Sequence, residues 1–428
     1  MVVDPVRHLQ PHGLLTGVAA RRVLGGLMRT GLEARFVGGC VRDTVLGIEP
    51  NDVDIATPLR PDEVMRRLKA DGLRVVPTGI KHGTVTAVVE GQTIEVTTLR
   101  RDISTDGRRA TVEFTEDWEE DAARRDFTFN AMSLTPEGEL YDPYDGMGDL
   151  EEGRVRFIGD PRQRIQEDVL RILRFFRFHA RFGQDPPDPD AIAACKELCH
   201  LIPNLSGERV RDELLKILES DRAIEVWRLM LKTGVAGYAL PAADRIERFA
   251  NLDRLEWLVG PCDVLARLAS LLPDDAEVAL DVAARLRLSV PQRERLRRLA
   301  APPVTVQAGM DERQRRHALQ VLGPEDYRDL LMLRSADAKT PAVELLEPLA
   351  EAGAWHMIPF PLQGQDAVDR GIPPGPRIGE LLDQVEAWWR DKDYRPDRDA
   401  CLGELELRIQ QSEPVVLPPP SRDVYEEP

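Results

Sequence analysis

Asp52 and Asp54 stand two residues apart with Val53 and Ile55 beside them, between Pro50 and Thr57-Pro58. In a strand, residues i and i+2 project from one face, so this alternation brings both carboxylates to one point. Two hard anions side by side repel unless a cation sits between them. Mg²⁺ is such a cation, held by one or two carboxylates plus substrate phosphates. Upstream, the apolar run Ala34, Phe36, Val37 meets Gly38-Gly39, where backbone amides can approach a phosphate, and Arg42-Asp43 follows. Arg42 adds a fixed charge with a fork of donors. The chemistry indicated is metal-dependent handling of a nucleoside triphosphate. The alternative is a strand-turn-strand with merely solvated acids, because an Asp-x-Asp pair alone is common.

Three further groups extend this site. Glu95 sits between Ile94 and Val96 in the alternating run TIEVTT. A neighbouring strand could present it as a third carboxylate, the number typical of two-metal phosphoryl or nucleotidyl transfer; an exposed strand glutamate is the other reading. Arg124-Arg125 suits a triphosphate, and Asn130 could bond a ribose hydroxyl or a backbone group. From Pro161 the pattern turns helical. Ile165, Val169, Ile172, Leu173 and Phe176 share one face, and Glu167, Arg171, Arg174, Arg177 and Arg181 the other, with Asp168 at the border. Asp168 and Arg171 are i,i+3 neighbours. After Asp168 the polar face carries arginine only, and arginine's planar fork favours directional recognition of phosphate or a base edge. A salt-bridged surface is the competing explanation.

The elements that must position these groups divide the chain. Residues 14–30 read as an amphipathic helix beneath the opening strand, and 60–72 as another, with Pro61 at its start and Gly72 at its end. Strand patterns follow at Leu73–Val76, Thr84–Glu90 and Thr93–Thr98. His82, in the loop between the first two, either shapes the pocket or is structural. Residues 100–111, RRDISTDGRRAT, are polar without periodicity and are expected as a mobile loop. Helices are expected from Pro161 to about Gln411, including 207–220, 224–233, 277–287 and 313–322. The turn Gly375-Pro-Arg-Ile-Gly feeds a helix whose N-terminal end could hold a polynucleotide phosphate or simply be capped. Ser412–Pro428, with its LPPPS run, is expected to be disordered.

Composition sets the outer limits. At 428 residues, 42% hydrophobic and 31% charged, the chain suits a soluble protein of two to four domains. No apolar run is long enough to span a bilayer, and the N-terminus has no signal-like apolar region. Five cysteines make no disulfide framework, which fits a reducing cytoplasm. Cys195, Cys199 and His200 crowd together, but no second ligand pair answers them, so they read as helix rather than zinc site. The net charge of −17 argues against wholesale nucleic-acid binding. Residues 154–181 nevertheless hold eight arginines against three acids, so any nucleic acid would lie along that stripe.

Together these stretches resemble the class II CCA-adding enzymes, tRNA nucleotidyltransferases of the DNA polymerase β-like superfamily whose head is shared with bacterial poly(A) polymerases. Gly38-Gly39-Cys40-Val41-Arg42-Asp43 matches the family's GGxVRD, Asp52-Val53-Asp54 its metal-binding DxD, and Arg124–Ala131 its ribose and triphosphate motif. Glu167-Asp168-Val169-Leu170-Arg171, continued by Arg174 and Arg177, matches the EDxxR helix. The resemblance implies an α+β chain: a small N-terminal nucleotidyltransferase head of sheet and helix, then an all-α neck, body and tail. The expected bounds are 1–150, 151–222, 223–345 and 346–411, with the tail binding tRNA. It further implies Mg²⁺ on Asp52 and Asp54, with Glu95 as third acid. Gly39, Arg42, Arg125, Arg174 and Arg177 would surround the nucleotide, while Asp168 and Arg171 pair with the Watson–Crick edge of CTP or ATP. The expected partner is tRNA, with neither DNA nor membrane involved. The loop 100–111 resembles one that full CCA-adders retain, and the phosphohydrolase domain of some bacterial members is not expected. Poly(A) synthesis, or partial CC or A addition, remains open within the family. A non-catalytic RNA-binding protein is a distant alternative, disfavoured because both aspartates are present.

Overall fold

The structure, a computed structural model, describes residues 4–29, 31–105 and 110–412. Two compact units emerge: one comprises residues up to Ala250 together with Arg267–Leu296, the other Asn251–Ala266 together with the chain from Arg297 onward. Among the described residues no helix is long and apolar enough to cross a membrane.

The first unit holds an eight-stranded mixed sheet. Its strands are β1 (Arg7–His8), β2 (Arg35–Val37), β3 (Asp54–Thr57), β4 (Arg74–Gly79), β5 (Thr84–Val89), β6 (Gln92–Thr98), β9 (Ser133–Leu134) and β10 (Glu139–Tyr141), in the order β1-β10-β9-β2-β3-β6-β5-β4. Most pairs are antiparallel, but β3 runs parallel to β6, which sets Asp54 opposite Glu95. Helices α1 (Val18–Met28) and α3 (Pro61–Ala70) pack on β5 and β6. In α3, Pro61 opens the helix, Asp62 and Glu63 lie in its first turn, and Arg67 and Lys69 in its last. That arrangement complements the helix dipole at both ends.

Four expectations change. The β-alternation at 52–55 begins only at Asp54, so Asp52 lies in the bend before β3 rather than in the strand. Residues 100–111 are not a loop throughout: β7 (Arg100–Thr105) and β8 (Ala110–Phe114) form an antiparallel ribbon, with an Arg101–Glu113 ion pair at 2.7 Å. The β-branched Ile103, Thr105, Thr111 and Val112 were strand signals hidden by the polar composition. Residues 106–109 lie outside the described residues. Of the expected disordered terminus, Ser412 instead closes the helix Arg398–Ser412, and the remainder lies outside the described residues.

The fourth change matters most. The helix expected through Pro161–Arg181 is two helices, α6 (Pro161–Glu167) and α7 (Arg171–Phe182), broken at Asp168, whose backbone is extended at φ −152° and ψ 104°. The Asp168 carboxylate accepts the Leu170 N–H at 3.2 Å, so the side chain competes with the helix for its own backbone. Leu170 is therefore buried, while Val169, expected on the apolar face, is only half-buried. Helices α8 (Pro189–Leu198), α9 (Gly207–Leu218) and α10 (Ala223–Thr233) follow. Cys195 is buried within α8, and Cys199 in the turn after it.

The second unit is helical among its described residues. Its last part is built on the helices Pro376–Asp391 and Arg398–Ser412, around Leu381, Val385, Trp389, Tyr394, Cys401 and Leu405. Trp389 is buried and donates its indole N–H to the Pro396 carbonyl at 3.0 Å. Trp389→Ala is expected to destabilise this helix pair by about 3–5 kcal/mol, read as a lower denaturant midpoint with CD at 222 nm.

Candidate active site

The first unit opens a cavity of about 810 Å³ lined by Gly38, Gly39, Arg42, Asp52, Asp54, Arg125, Asp168, Arg171, Arg174 and Arg177. Residues spread across 140 positions of sequence thus face one space. Glu95 does not line it; it is exposed on β6 beside Asp54. His82, in a short turn before β5, is not among the lining residues either.

The carboxylate corner follows from the turn after β2. Gly38 takes φ 73°, and a Cβ there would meet the Arg125 guanidinium at 3.4 Å and the Asp54 carboxylate at 3.8 Å. A glycine lets the chain enter α2 (Gly39–Val45) while Arg125 and Asp54 stay close. Asp52 is exposed and Asp54 half-buried. Burial, then Asp52, then Glu95 push the Asp54 carboxyl up to about 6, with Arg125 opposing. A carboxylate raised by burial and like charges is one that a cation would stabilise. Among the described residues no three His, Cys, Asp or Glu side chains form a self-contained metal site. A cation here would therefore complete its shell with substrate phosphate oxygens, as Mg²⁺ does in such sites.

Each arginine of the cavity is held by a carboxylate. Arg42 donates to Asp43 Oδ1 at 2.8 and 3.0 Å and to Asn130 Oδ1 at 3.1 Å. Asn130 in turn donates to Asp126 at 2.9 Å, so its amide is spent on the scaffold. Arg125 is fixed by Asp121 at 3.0 Å. Arg174 donates to Asp126 at 2.6 Å, and Arg177 pairs with Glu213 of α9. Beneath them the buried Phe178 ring lies 5.3, 5.4 and 4.0 Å from the guanidinium carbons of Arg42, Arg174 and Arg177. It also meets Phe127 and Phe129 edge-on, tying α7 to the loop after Arg125. We expect Phe178→Ala to cost about 3–5 kcal/mol of stability. Phe178→Leu should keep the fold and weaken nucleotide affinity, a split that thermal melts and nucleotide titration separate.

Burial by itself would raise the Asp126 carboxyl, but Arg174 and the Asn130 amide hold it below its ordinary value. A carboxyl held low in the fold stabilises it above the unfolded value of about 3.9, and that contribution is lost as pH falls through the folded value. The melting temperature should therefore fall progressively below about pH 4. Asp126→Asn, already destabilised by about 1.5–3 kcal/mol, should fall less steeply; melts between pH 3 and 6 would show it.

At the break between α6 and α7, Asp168 and Arg171 face the cavity with partners already in place. Arg171 donates to the carbonyls of Arg164 at 2.9 Å and Arg124 at 3.0 Å, and to Glu167 at 2.7 Å. Asp168 accepts from Arg209 at 2.7 Å. Arg209, Lys216 and Glu213 come from α9, and the sequence reading did not single them out. Arg209 follows Asp168 by 41 positions, and no local spacing marks it; only the packing of α9 against α7 does.

Comparison with known proteins identifies the fold and the family. The family model described as the poly(A) polymerase head domain matches residues 34–156, and that of the probable RNA- and SrmB-binding site of polymerase A matches 187–247. The mitochondrial CCA tRNA nucleotidyltransferase 1 of Mus musculus is 38% identical over 382 residues, covering 86% of each chain. The CCA-adding enzyme of Levilactobacillus brevis is 32% identical over 383 residues, covering 86% of this chain and 92% of its own. Among solved structures, the Bacillus stearothermophilus CCA-adding enzyme in complex with CTP aligns at a TM-score of 0.71 and 25% identity, over 92% of this chain and 97% of that one. The Thermotoga maritima CCA-adding enzyme complexed with tRNA shares the fold at a TM-score of 0.59 and 23% identity, over 91% and 94%. With a nucleotide-sized, arginine-lined cavity on that fold, the chain belongs to the CCA-adding tRNA nucleotidyltransferases, which carry the poly(A) polymerase head.

Proposed function

We infer that the protein adds C, C and A to the 3′ end of tRNA from CTP and ATP, using amino-acid side chains rather than a nucleic acid as template. The observation that carries the template reading is the donor and acceptor count at Asp168 and Arg171. Arginine has five N–H donors; Arg171 commits three to Arg164, Glu167 and Arg124, leaving two. The Asp168 carboxylate, with one N–H donor on each oxygen, keeps spare lone pairs. Cytosine offers an exocyclic amine to the carboxylate and two ring-edge acceptors to the guanidinium. Adenine offers the amine and one acceptor. Uracil and guanine set a carbonyl oxygen where the amine would be, against the carboxylate, and are refused.

Asp52 and Asp54, with Glu95 alongside, are the residues that would hold Mg²⁺. When bound, the cation polarises the α-phosphate and offsets charge on the leaving pyrophosphate. Arg42, Arg125, Arg174 and Arg177 neutralise the triphosphate, and Gly38-Gly39 lets it approach the backbone. The tRNA 3′-hydroxyl attacks the α-phosphorus and gives up its proton, the bond to the bridging oxygen breaks, and pyrophosphate leaves. We assign the head to 1–150, the neck to 151–222, the body to 223–345 and a tRNA-holding tail to 346–411. Five unpaired cysteines suit a reducing compartment, and the cytoplasm is our proposed location.

Nucleotide binding tests this directly. With Mg²⁺ present, CTP and ATP should each raise the melting temperature, while UTP and GTP at equal concentration should do so far less. Equal shifts from all four would remove the template reading.

A further inference from the structure

We propose that Arg35 is a positioning residue for the triphosphate site: it seats the short helix that carries Asp121, and through Asp121 it aims Arg125 at the nucleotide. The inference rests on the nucleotide reading given above and deepens it. Arg35 lies on β2 opposite Ala56 of β3, and Asp54 stands two residues before Ala56. Alternate residues and cross-strand partners share a face, so Arg35 belongs to the sheet face that carries the Asp54 carboxylate. Its guanidinium carbon lies 4.3 Å from the centre of the Trp118 ring and 3.6 Å from that of Tyr141 on β10. The same group donates to Glu33 at 2.6 Å and to Ser133 at 3.3 Å. Arg35 is buried, and a buried charge is costly beside an apolar side chain of similar volume. What arginine adds is direction: a planar group held at its edge fixes two rings.

Trp118 opens α4 (Trp118–Ala123), and Val37, Ala56 and Leu99 also pack against it. Three residues on, the buried Asp121 accepts from Arg124 at 2.7 Å and from Arg125 at 3.0 Å. Strand β2 therefore meets this segment twice. Arg35 and Val37 hold Trp118 at its start, and Gly38 leaves room for Arg125 just past its end. A second cavity, of about 650 Å³, is bounded by Arg35, Trp118, Tyr141, Asp121 and Arg125. Arg125 lines the nucleotide cavity as well, so it has open space on two sides. Apart from Asp121, only the Asn130 carbonyl accepts from it among the described residues, at 3.3 Å. The aim of Arg125 thus depends on Asp121, and the place of Asp121 on the seat of α4.

The test uses the full-length protein as wild type, Arg35→Met, Arg35→Lys, Arg125→Ala and the Arg35→Met/Arg125→Ala double variant. Affinities for CTP and UTP are measured by equilibrium titration with Mg²⁺, alongside melting temperature. Arg35→Met should weaken CTP binding about tenfold, the loss of one well-aimed charged hydrogen bond. Its CTP-over-UTP ratio should stay at the wild-type value, because Asp168 and Arg171 are held by other partners. Arg35→Lys keeps the charge without the planar fork and should fall between the two. The double variant should bind CTP no more weakly than Arg125→Ala alone, since both changes remove one interaction. A merely structural role would lower the melting temperature and leave the affinity of the folded protein unchanged. Should Arg35→Met fail to fold, Tyr141→Leu removes one half-buried ring and carries the same cycle against Arg125→Ala. Wild-type CTP affinity in the folded variant, or fully additive losses in the double variant, would overturn the inference while leaving the nucleotide reading intact. Wild-type CTP affinity in Arg125→Ala would overturn the place of Arg125 in the nucleotide reading instead.

Discussion

Asp54→Ala should lower nucleotide incorporation by about 10³-fold or more while leaving the fold intact, because roughly 4 kcal/mol of transition-state charge stabilisation corresponds to that factor. Asp52→Ala should behave alike. The carboxylate pair stands at the start of β3, where burial, Asp52 and Glu95 together raise Asp54 and Arg125 alone opposes them. Removing one acid relieves that repulsion, so neither variant should be less stable than wild type by more than about 1 kcal/mol. Glu95→Ala should be the milder of the three, since Glu95 shares the strand register but does not line the cavity. Steady-state incorporation with excess Mg²⁺, read beside thermal melts, separates catalytic from structural loss. Substantial activity in a folded Asp54→Ala protein would falsify the metal assignment.

Asp168→Ala should erode nucleotide choice more than it weakens tRNA binding. A site built to hydrogen-bond a substrate group discriminates strongly against the analogue lacking it, and each good pair of bonds to a base edge is worth about 1–3 kcal/mol. Loss of the carboxylate removes both the attraction for an exocyclic amine and the repulsion of a carbonyl oxygen. The CTP-over-UTP preference should fall by roughly 10²-fold, with a much smaller change in tRNA affinity by filter binding. An unchanged preference would remove Asp168 from the template. Arg171 is the more constrained partner, and Arg171→Lys should not rescue, because an ammonium cannot reproduce three fixed donors and two free ones.

The sequence was most legible where chemistry is local. Gly38-Gly39, Arg42, the two aspartates and the arginines at 171, 174 and 177 carry their spacing in the chain, and all of them face one cavity. Less was legible where a side chain overrides its own element. Asp168 lies within a good helical pattern, yet its carboxylate takes the Leu170 N–H and splits the helix. The ribbon β7–β8 was obscured because its residues are mostly polar, although Ile103, Thr105, Thr111 and Val112 are β-branched. Partners distant in sequence were not legible at all. Asp126 to Arg174 spans 48 positions and Arg177 to Glu213 spans 36, and neither pair has a local signature. Those contacts decide which arginines remain available to substrate, so the reaction and the base-reading pair were readable from motifs and the distant supports of the arginines were not.

Three tRNA transcripts, ending at the discriminator base, at C and at CC, each offered CTP, ATP or both with Mg²⁺, test the central claim. CTP alone should extend the first by two residues and the second by one, and should leave the third untouched. ATP alone should add one residue to the third only, and both nucleotides together should bring every transcript to CCA and stop. Long adenylate tails, or UTP incorporated as readily as CTP, would contradict a CCA-adding site read by Asp168 and Arg171.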